Sequence, residues 1–343
     1  MSLTAIHLKQ FTAFDDLHVD FSPGINVLVG RNGTGKTHLM KVAYAACAIT
    51  TPPHPAFPDK LLRDFTPAKR ALHNLVKRQG GKAVAHVQVW RDQLDVFVNF
   101  GNDAGLHADE GDWAVSTDGW KEWQSKPINS AYIPVNDMLA NAPGFRSLYA
   151  RRELHFEEIY DDLLVRAYLP PLRESAETDS IALLEKHMGG TVVVRGEEFY
   201  LRQREGELQF SLVAEGIRKL GLLWLLLRNG TLEPGSVLFW DEPETYLNPE
   251  LYGVAIGILL ALQRSGVQIF LATHGYVALK ELDLRGERED KITYHALYRD
   301  EDTNEIACTS QDSYLDIHPN AIGDTFTDLY DREITRSLDG MGK

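Results

Sequence analysis

The apolar positions of this chain fall into two kinds of run. Short runs recur at Ile25–Val29, Val237–Trp240 and Val267–Ala272, the first broken only by Asn26. Runs of this length suit strands buried on both faces. Longer periodic stretches predict helices. One begins near Gly35, continues to about Ile49 and is stopped by Thr51-Pro52-Pro53-His54-Pro55. Another covers Ser211–Arg228 and closes on Asn229-Gly230. A third starts at Asn248-Pro249-Glu250, which offers a capping side chain and a proline at the first helical position. Ahead of them, Thr4–Leu8 and the alternating Leu17, Val19 and Phe21 read as strands, with Ser22-Pro23-Gly24 as a turn. Strands alternating with helices predict an α/β fold with a mainly parallel sheet flanked by helices.

The middle of the chain is less regular. Ala68–Arg78 predicts a short amphipathic helix with Leu72, Leu75 and Val76 on one face. Lys82–Trp90 and Asp95–Phe100 read as paired strands, 101–127 as an exposed acidic loop or hairpin, and Ala131–Pro134 as a strand end. Helices are expected over Glu153–Leu169 and Ser180–His187, and a hairpin from Thr191–Val194 and Glu198–Gln203. No repeat or sustained heptad is visible, so a long coiled coil is not expected.

Composition narrows the classes. The chain has 343 residues, enough for one nucleotide-binding domain with a large insertion or for two domains. Apolar residues at 44% and charged residues at 24% exclude a disordered, collagenous or membrane-bundle chain. The formal charge of −14 argues against gripping nucleic acid with the whole surface. It leaves room for a local patch: Lys60, Arg63, Lys69, Arg70, Lys77, Arg78 and Lys82 stand against Asp64 alone in Lys60–Lys82. Lys69, His73 and Lys77 would share a helical face there, open to DNA or to an acidic partner. The bland alternative is a solvated basic face. Cys47 and Cys308 have no metal-like spacing, so a disulfide scaffold and a zinc finger fail and a reducing compartment is expected. The opening shows no secretory signal. Leu220–Leu227 and Leu251–Leu262 are too short to span a bilayer. A cytoplasmic protein without membrane contact is the expectation.

Gly30-Arg31-Asn32-Gly33-Thr34-Gly35-Lys36-Thr37 fits the phosphate-loop pattern, between a strand and a helix as that loop requires. Glycines let the backbone curl so that successive N–H groups point at phosphate oxygens, and the helix N-terminus adds positive character. Lys36 would reach the β- and γ-phosphates, and Thr37 would bind Mg²⁺. Asp241-Glu242 end an apolar strand, as the second half of such a site should. Asp241 is the candidate metal holder and Glu242 the candidate base for the attacking water. Glu244 reads better as a local salt bridge or turn contact. His274 ends the next buried strand, 33 residues after Asp241, and is the candidate third catalytic group beside Lys36 and Glu242. His38, His54, His155 and His187 have no ligand spacing.

These motifs give the sequence a family likeness. Phe21–Thr37, Ala214–Leu220, Asp241–Glu244 with Leu247-Asn248-Pro249, and Ala272-Thr273-His274 follow one another in the right order. The chain resembles the ABC-type ATPases of the RecF, SMC and OLD group, and within it the stand-alone AAA-like ATPases of bacterial defence cassettes. The likeness covers 3–49 and 207–280. It implies a P-loop NTPase with an ABC-type ATPase head, ATP and Mg²⁺ as cofactors, and a homodimer or higher oligomer that sandwiches two nucleotides. Carried over by motif, Glu215 and Gly216 would touch ATP on the other subunit. The usual signature serine is replaced by Ala214, which weakens or alters that contact. Leu247-Asn248-Pro249 would cross the dimer interface. The glutamine that usually senses Mg²⁺ and the γ-phosphate has no evident equivalent.

The domain expectation is an ATPase core from 1–50 and 207–310, a mixed insertion over 51–206, and a C-terminal extension over 311–343. Trp113, Trp120 and Trp123 serve equally well as a partner surface or as core packing. The functional expectation is an ATPase whose nucleotide state controls a separately encoded nuclease or toxin in antiphage defence. Its rivals are a RecF-like DNA-repair ATPase acting on DNA ends or gaps, a slow ATP-gated scaffold and, less well matched, a transporter ATPase.

Overall fold

The computed structural model describes residues 2–78, 81–102, 116–151, 154–173 and 178–341. Along the chain run β1 (Leu3–Phe11), β2 (Phe14–Asp20), β3 (Ile25–Val29), α1 (Lys36–Ala48), α2 (Phe57–Phe65), β4 (Val84–Arg91), β5 (Leu94–Gly101), β6 (Ser116–Asp118) and α3 (Trp120–Gln124). Next come β7 (Ser130–Ile133), α4 (Phe145–Ala150), α5 (Glu158–Ala167), α6 (Thr178–Met188), β8 (Thr191–Arg195), β9 (Glu198–Gln203) and β10 (Gly206–Gln209). The last part holds α7 (Glu215–Arg228), β11 (Val237–Asp241), α8 (Pro249–Ser265), β12 (Gln268–Thr273), α9 (Tyr276–Arg285), β13 (Ile292–Arg299), β14 (Ile306–Gln311) and α10 (Ala321–Met341).

The central sheet has the order β14-β13-β3-β12-β11-β7, parallel except for β14. Its inner strands are buried on both faces, and alternate residues divide between two cores as the two-residue period of a strand requires. Val27, Val29, Leu238, Trp240, Ile269 and Leu271 face the layer that contains α5, α6, α7 and α8. Leu28, Val237, Phe239, Phe270 and Ala272 face α1 and a second sheet. That second sheet, β2-β1-β4-β5-β6, is wholly antiparallel. A three-stranded antiparallel sheet, β10-β9-β8, completes the strands. The stretch expected as an insertion thus supplies β4 and β5 to the second sheet and β7 to the edge of the central one.

The helix expected over Ala68–Arg78 is absent. Lys69 and Arg70 have positive φ, and two separate 3-10 turns, Ala68–Arg70 and Leu72–Leu75, replace it. Leu72, Leu75 and Val76 still reach the core, because they need only burial and not a continuous helix. The helix of this region is α2, which has proline in its first turn and buries Phe57 and Leu61. Lys69, His73 and Lys77 therefore do not share a helical face.

Three cations of the basic segment are neutralised by acids. The Lys60 ammonium is enclosed by Asp64 at 3.0 Å, Glu158 at 2.8 Å and Asp162, which ties α2 to α5. Arg63 pairs with Glu158 and Lys77 with Asp15. Trp123 is core: it is fully buried, its indole donates to the Ala46 carbonyl, and the Arg91 guanidinium lies 4.4 Å from its ring centre. Trp120 remains exposed, and Trp113 lies outside the described residues. The 101–127 loop resolves in its described part into β6 and α3.

His295 is wholly buried on β13, with Nδ1 2.8 Å from the Ser310 hydroxyl and Nε2 3.1 Å from Asn26 Oδ1. Burial pushes its pKa down to about 4 from the ordinary 6.5. The unfolded chain takes up this proton near the ordinary value, and the folded chain resists. The stability that neutral His295 lends is therefore complete above about pH 6.5 and is lost as pH falls toward about 4, roughly 3 kcal/mol in all. Asp64, pushed up to about 8 by burial, acts with the opposite sign across the whole of that range. A His295→Gln comparison separates the two. The urea-unfolding advantage of the unchanged protein over this variant should shrink on acidification from neutral pH. A pH-independent difference would contradict this account.

Candidate active site

The parallel strands β3, β12, β11 and β7 deliver their C-terminal ends to one edge of the sheet, where open α/β folds bind ligands. Register pairs Val29 with Thr273 and Asp241 with Ala272, so the loop at Gly30, His274 and the acids at 241–242 emerge side by side. The strand bearing the acids is not next to the phosphate-loop strand, because β12 lies between them. Helix α1 spans the gap. Its first-turn Thr37 hydroxyl donates to Asp241 Oδ2 at 2.9 Å.

The loop from Gly30 to Gly35 curls through positive φ at Gly33 and Gly35 and opens α1 without a side-chain cap. Arg31, Asn32 and Gly33 are exposed, Thr34 is buried, and the Thr34 hydroxyl donates to the Arg31 carbonyl at 2.9 Å. Lys36 folds back on the loop, with its ammonium 2.6 Å from the Gly30 carbonyl and 3.1 Å from that of Arg31. Burial pulls its pKa down, while Asp241, Glu242 and Glu244 pull the other way. A lysine held, among the described residues, by neutral carbonyls beside a curled set of amides is poised to exchange them for phosphate oxygens.

Asp241 is buried, and burial raises its pKa against the hydrogen bonds from Thr37 and Tyr132. Both donors share Oδ2, Tyr132 at 3.1 Å. A hydroxyl and a carboxylate brought this close are the hard oxygen donors that Mg²⁺ takes, so the residues fit the metal. Tyr132 was not singled out from the sequence. It lies 109 residues from Asp241, and only the pairing of β7 with β11 brings them together.

Glu242 sits at φ 48, its amide bonded to the Ala272 carbonyl and its carboxylate accepting from the Thr245 hydroxyl at 3.1 Å. His274 Nδ1 lies 3.2 Å from Glu242 Oε1, and its side chain is nearly half exposed toward solvent. Glu244, expected to make a local salt bridge or turn contact, instead reaches the end of the neighbouring strand, accepting from the Thr273 hydroxyl at 2.7 Å and the His274 amide at 2.9 Å. Lys36, Thr37, Asp241, Glu242 and His274 are thus brought to one place.

Glu215 and Gly216 lie at the start of α7. Ala214 is the N-cap without a side-chain cap bond, and helix geometry begins only at Glu215, after a 3-10 turn over Phe210–Leu212. Gly216 is buried in its own chain, where a Cβ would come 2.7 Å from the Tyr246 carbonyl oxygen. The loop after β7 runs along the same edge. Its Asp137 is bonded at 2.6 Å to Arg218, which joins that loop to α7, the helix expected to carry the signature.

The comparisons agree with this geometry. A family model described as "AAA domain, putative AbiEii toxin, Type IV TA system" matches 117–279, and one described as "AAA domain" matches 5–45. A DNA replication and repair protein RecF from Limosilactobacillus reuteri is 33% identical over 241 residues, 64% of this chain and 59% of that protein. RecF of Limosilactobacillus fermentum is 31% identical over 99 residues, 29% of this chain and 26% of that protein. The chain therefore spans less than two thirds of the curated relatives it matches. Among solved structures, an SMC head domain from Thermotoga maritima aligns over 91% of this chain and 99% of its own with a TM-score of 0.50 at 14% identity. An SMC head bound to the C-winged helix domain of ScpA aligns over 92% and 99%, with a TM-score of 0.57 at 12% identity. By fold the chain matches the SMC heads, and by motif it is similar to the ABC-type ATPases of the RecF/SMC group. The antiparallel sheet beside the mainly parallel one belongs to that α/β head and does not change its class.

Proposed function

We propose that this ABC-type head binds and hydrolyses ATP with Mg²⁺, as a dimer that sandwiches two nucleotides. The observation that carries the reading is the convergence of Lys36, Thr37, Asp241, Glu242 and His274 at the C-terminal edge of four parallel strands. In this reading the curled amides and Lys36 hold the β- and γ-phosphates. Thr37 and Asp241 hold the metal, and Tyr132 fixes the carboxylate of Asp241. Magnesium there supplies charge neutralisation on the phosphate oxygens. Glu242, turned toward the site by Thr245 and His274, orients the attacking water and accepts its proton. His274, with Nδ1 3.2 Å from the Glu242 carboxylate, would contact the γ-phosphate beside it.

The finer reading is that ATP state is passed to a separately encoded effector, a nuclease or toxin, in antiphage defence inside the cell. The family model that describes a putative AbiEii toxin supports this direction. Among the described residues, the acidic cluster Asp64, Glu158 and Asp162 already encloses the Lys60 ammonium. A second reading, a DNA-repair ATPase, is favoured by the 33% identity to RecF. It must rely on fewer cations than the sequence offers, since Lys60, Arg63 and Lys77 are paired. It predicts DNA-stimulated ATPase activity that falls about tenfold on reversing exposed Lys69 and Arg70, with a shallower salt dependence. Absence of any DNA stimulation would remove it.

The sandwich is tested with Glu242→Gln. With saturating Mg-ATP, light scattering should report twice the mass seen without nucleotide. A monomer under both conditions would contradict the dimer.

A further inference from the structure

Lys219, on the signature helix α7, is 1% exposed. Its ammonium donates to the Thr245 carbonyl at 2.7 Å and approaches the Glu242 carbonyl at 3.5 Å, with the Tyr246 ring centre 5.5 Å away. Among the described residues its hydrogen-bond partners are these two carbonyls. A buried ammonium satisfied by carbonyls alone is costly to desolvate and is held in place by those contacts. Both carbonyls belong to the turn that follows β11.

That turn needs holding. Glu242 is a non-glycine residue at φ 48, in the left-handed region that a side chain rarely adopts. The Thr245 amide closes the turn on the Glu242 carbonyl at 3.1 Å, and the Thr245 hydroxyl reaches the Glu242 carboxylate at 3.1 Å. Lys219 grips both ends of this small ring. One helical turn earlier on the same face, Gly216 packs its backbone against the Tyr246 carbonyl, 2.7 Å from where a Cβ would stand. The start of the signature helix and the turn that carries Glu242 are therefore in direct contact at two points within one chain.

We propose that Lys219 is a positioning residue for ATP cleavage, clamping the Glu242–Thr245 turn and so tying the setting of the Glu242 carboxylate to the signature helix of the same chain. This rests on the reading of Glu242 as the residue that activates water, and it extends it. A signature that docks on a nucleotide held by a second copy is linked through Lys219 to its own glutamate. Occupancy of one site then bears on the competence of the other. The Lys219 ammonium bonds to carbonyls of the turn after β11 and lies over the Tyr246 ring, away from the loop before α1, so its loss should affect turnover rather than capture of the triphosphate.

Lys219→Met removes the ammonium and keeps the bulk of the side chain, and Lys219→Gln keeps an N–H donor. In nucleotide-free protein, hydrogen exchange in peptides covering 242–247 should speed up by about tenfold or more in Lys219→Met, because the turn loses its clamp. Turnover should fall by about 30-fold or more while Mg-ATP affinity stays within about threefold, the split expected when a catalytic group is displaced. Lys219→Gln should recover part of both. Combined with Glu242→Gln, Lys219→Met should add almost no further loss of turnover, since both act through one carboxylate. Unchanged exchange, turnover within about threefold of the unsubstituted protein, or fully additive losses would each overturn the proposal. If Lys219→Met does not fold, Lys219→Gln carries the same comparisons. Failure of the unsubstituted protein to bind Mg-ATP would sink the ATPase reading instead. The exchange measurement, made without nucleotide, would still decide whether Lys219 holds the turn.

Discussion

Glu242→Gln is expected to slow ATP turnover by about 10²–10⁴-fold, the range lost when a positioned general base is removed. The amide keeps the shape of the side chain and its contact with the Thr245 hydroxyl, but it cannot accept the water proton. Glu242 points into the site alongside His274 Nδ1 at 3.2 Å, and its own N–H is fixed to Ala272 on the neighbouring strand. Binding should survive, because the phosphate contacts belong to the loop before α1. The variant should therefore retain Mg-ATP with near-unchanged affinity while hydrolysing it far more slowly. Turnover within about threefold of the unsubstituted protein would move the catalytic role elsewhere, with Glu244 and His274 the nearest groups to examine.

Gly35→Ala is expected to cost about 2–4 kcal/mol of folding stability, from left-handed strain plus overlap in a packed core. Gly35 sits at φ +88, and a Cβ there would lie 2.3 Å from the ring of fully buried Phe14. Phe14 begins β2, in the antiparallel sheet, so the substitution would push the phosphate loop off the layer that supports it. Gly33→Ala is the matched control. It has a similar φ of +80 and nothing within 4 Å of the new Cβ, so backbone strain alone, about 1 kcal/mol, should apply. Urea unfolding of the two variants without nucleotide checks the ranking. Equal losses would mean that contact with Phe14 does not set the loop.

The parts of the fold visible in the sequence are those where one short segment carries its own reason. Ile25–Val29 and Gln268–Thr273 are apolar enough to demand burial on both faces, and Asn248-Pro249 caps α8 through the Asn248 side chain as expected. The phosphate loop and Asp241-Glu242 were legible for the same reason, because strand, turn and charge lie in one stretch. What was hidden depends on pairing between distant segments. The pairing of β4 with β5 was expected from the sequence, but the antiparallel sheet also joins β4 to β1, and nothing local in Val84–Arg91 names that distant partner. Lys60 looked like part of a DNA-facing patch because its acids, Glu158 and Asp162, lie about a hundred residues further on. Tyr132 and Lys219 were missed as site residues on the same grounds. One needs the β7–β11 pairing, and the other needs the signature helix laid against the turn after β11.

The central claim is that the loop from Gly30 to Thr37 captures a triphosphate through its amides and the Lys36 ammonium. Equilibrium binding of Mg-ATP to the purified protein and to Lys36→Ala tests it most directly. The account predicts saturable binding by the unchanged protein and an affinity at least about a hundredfold weaker in the variant, since a buried charge-assisted contact to phosphate is lost. No binding by the unchanged protein, or equal affinity in the two, would contradict it.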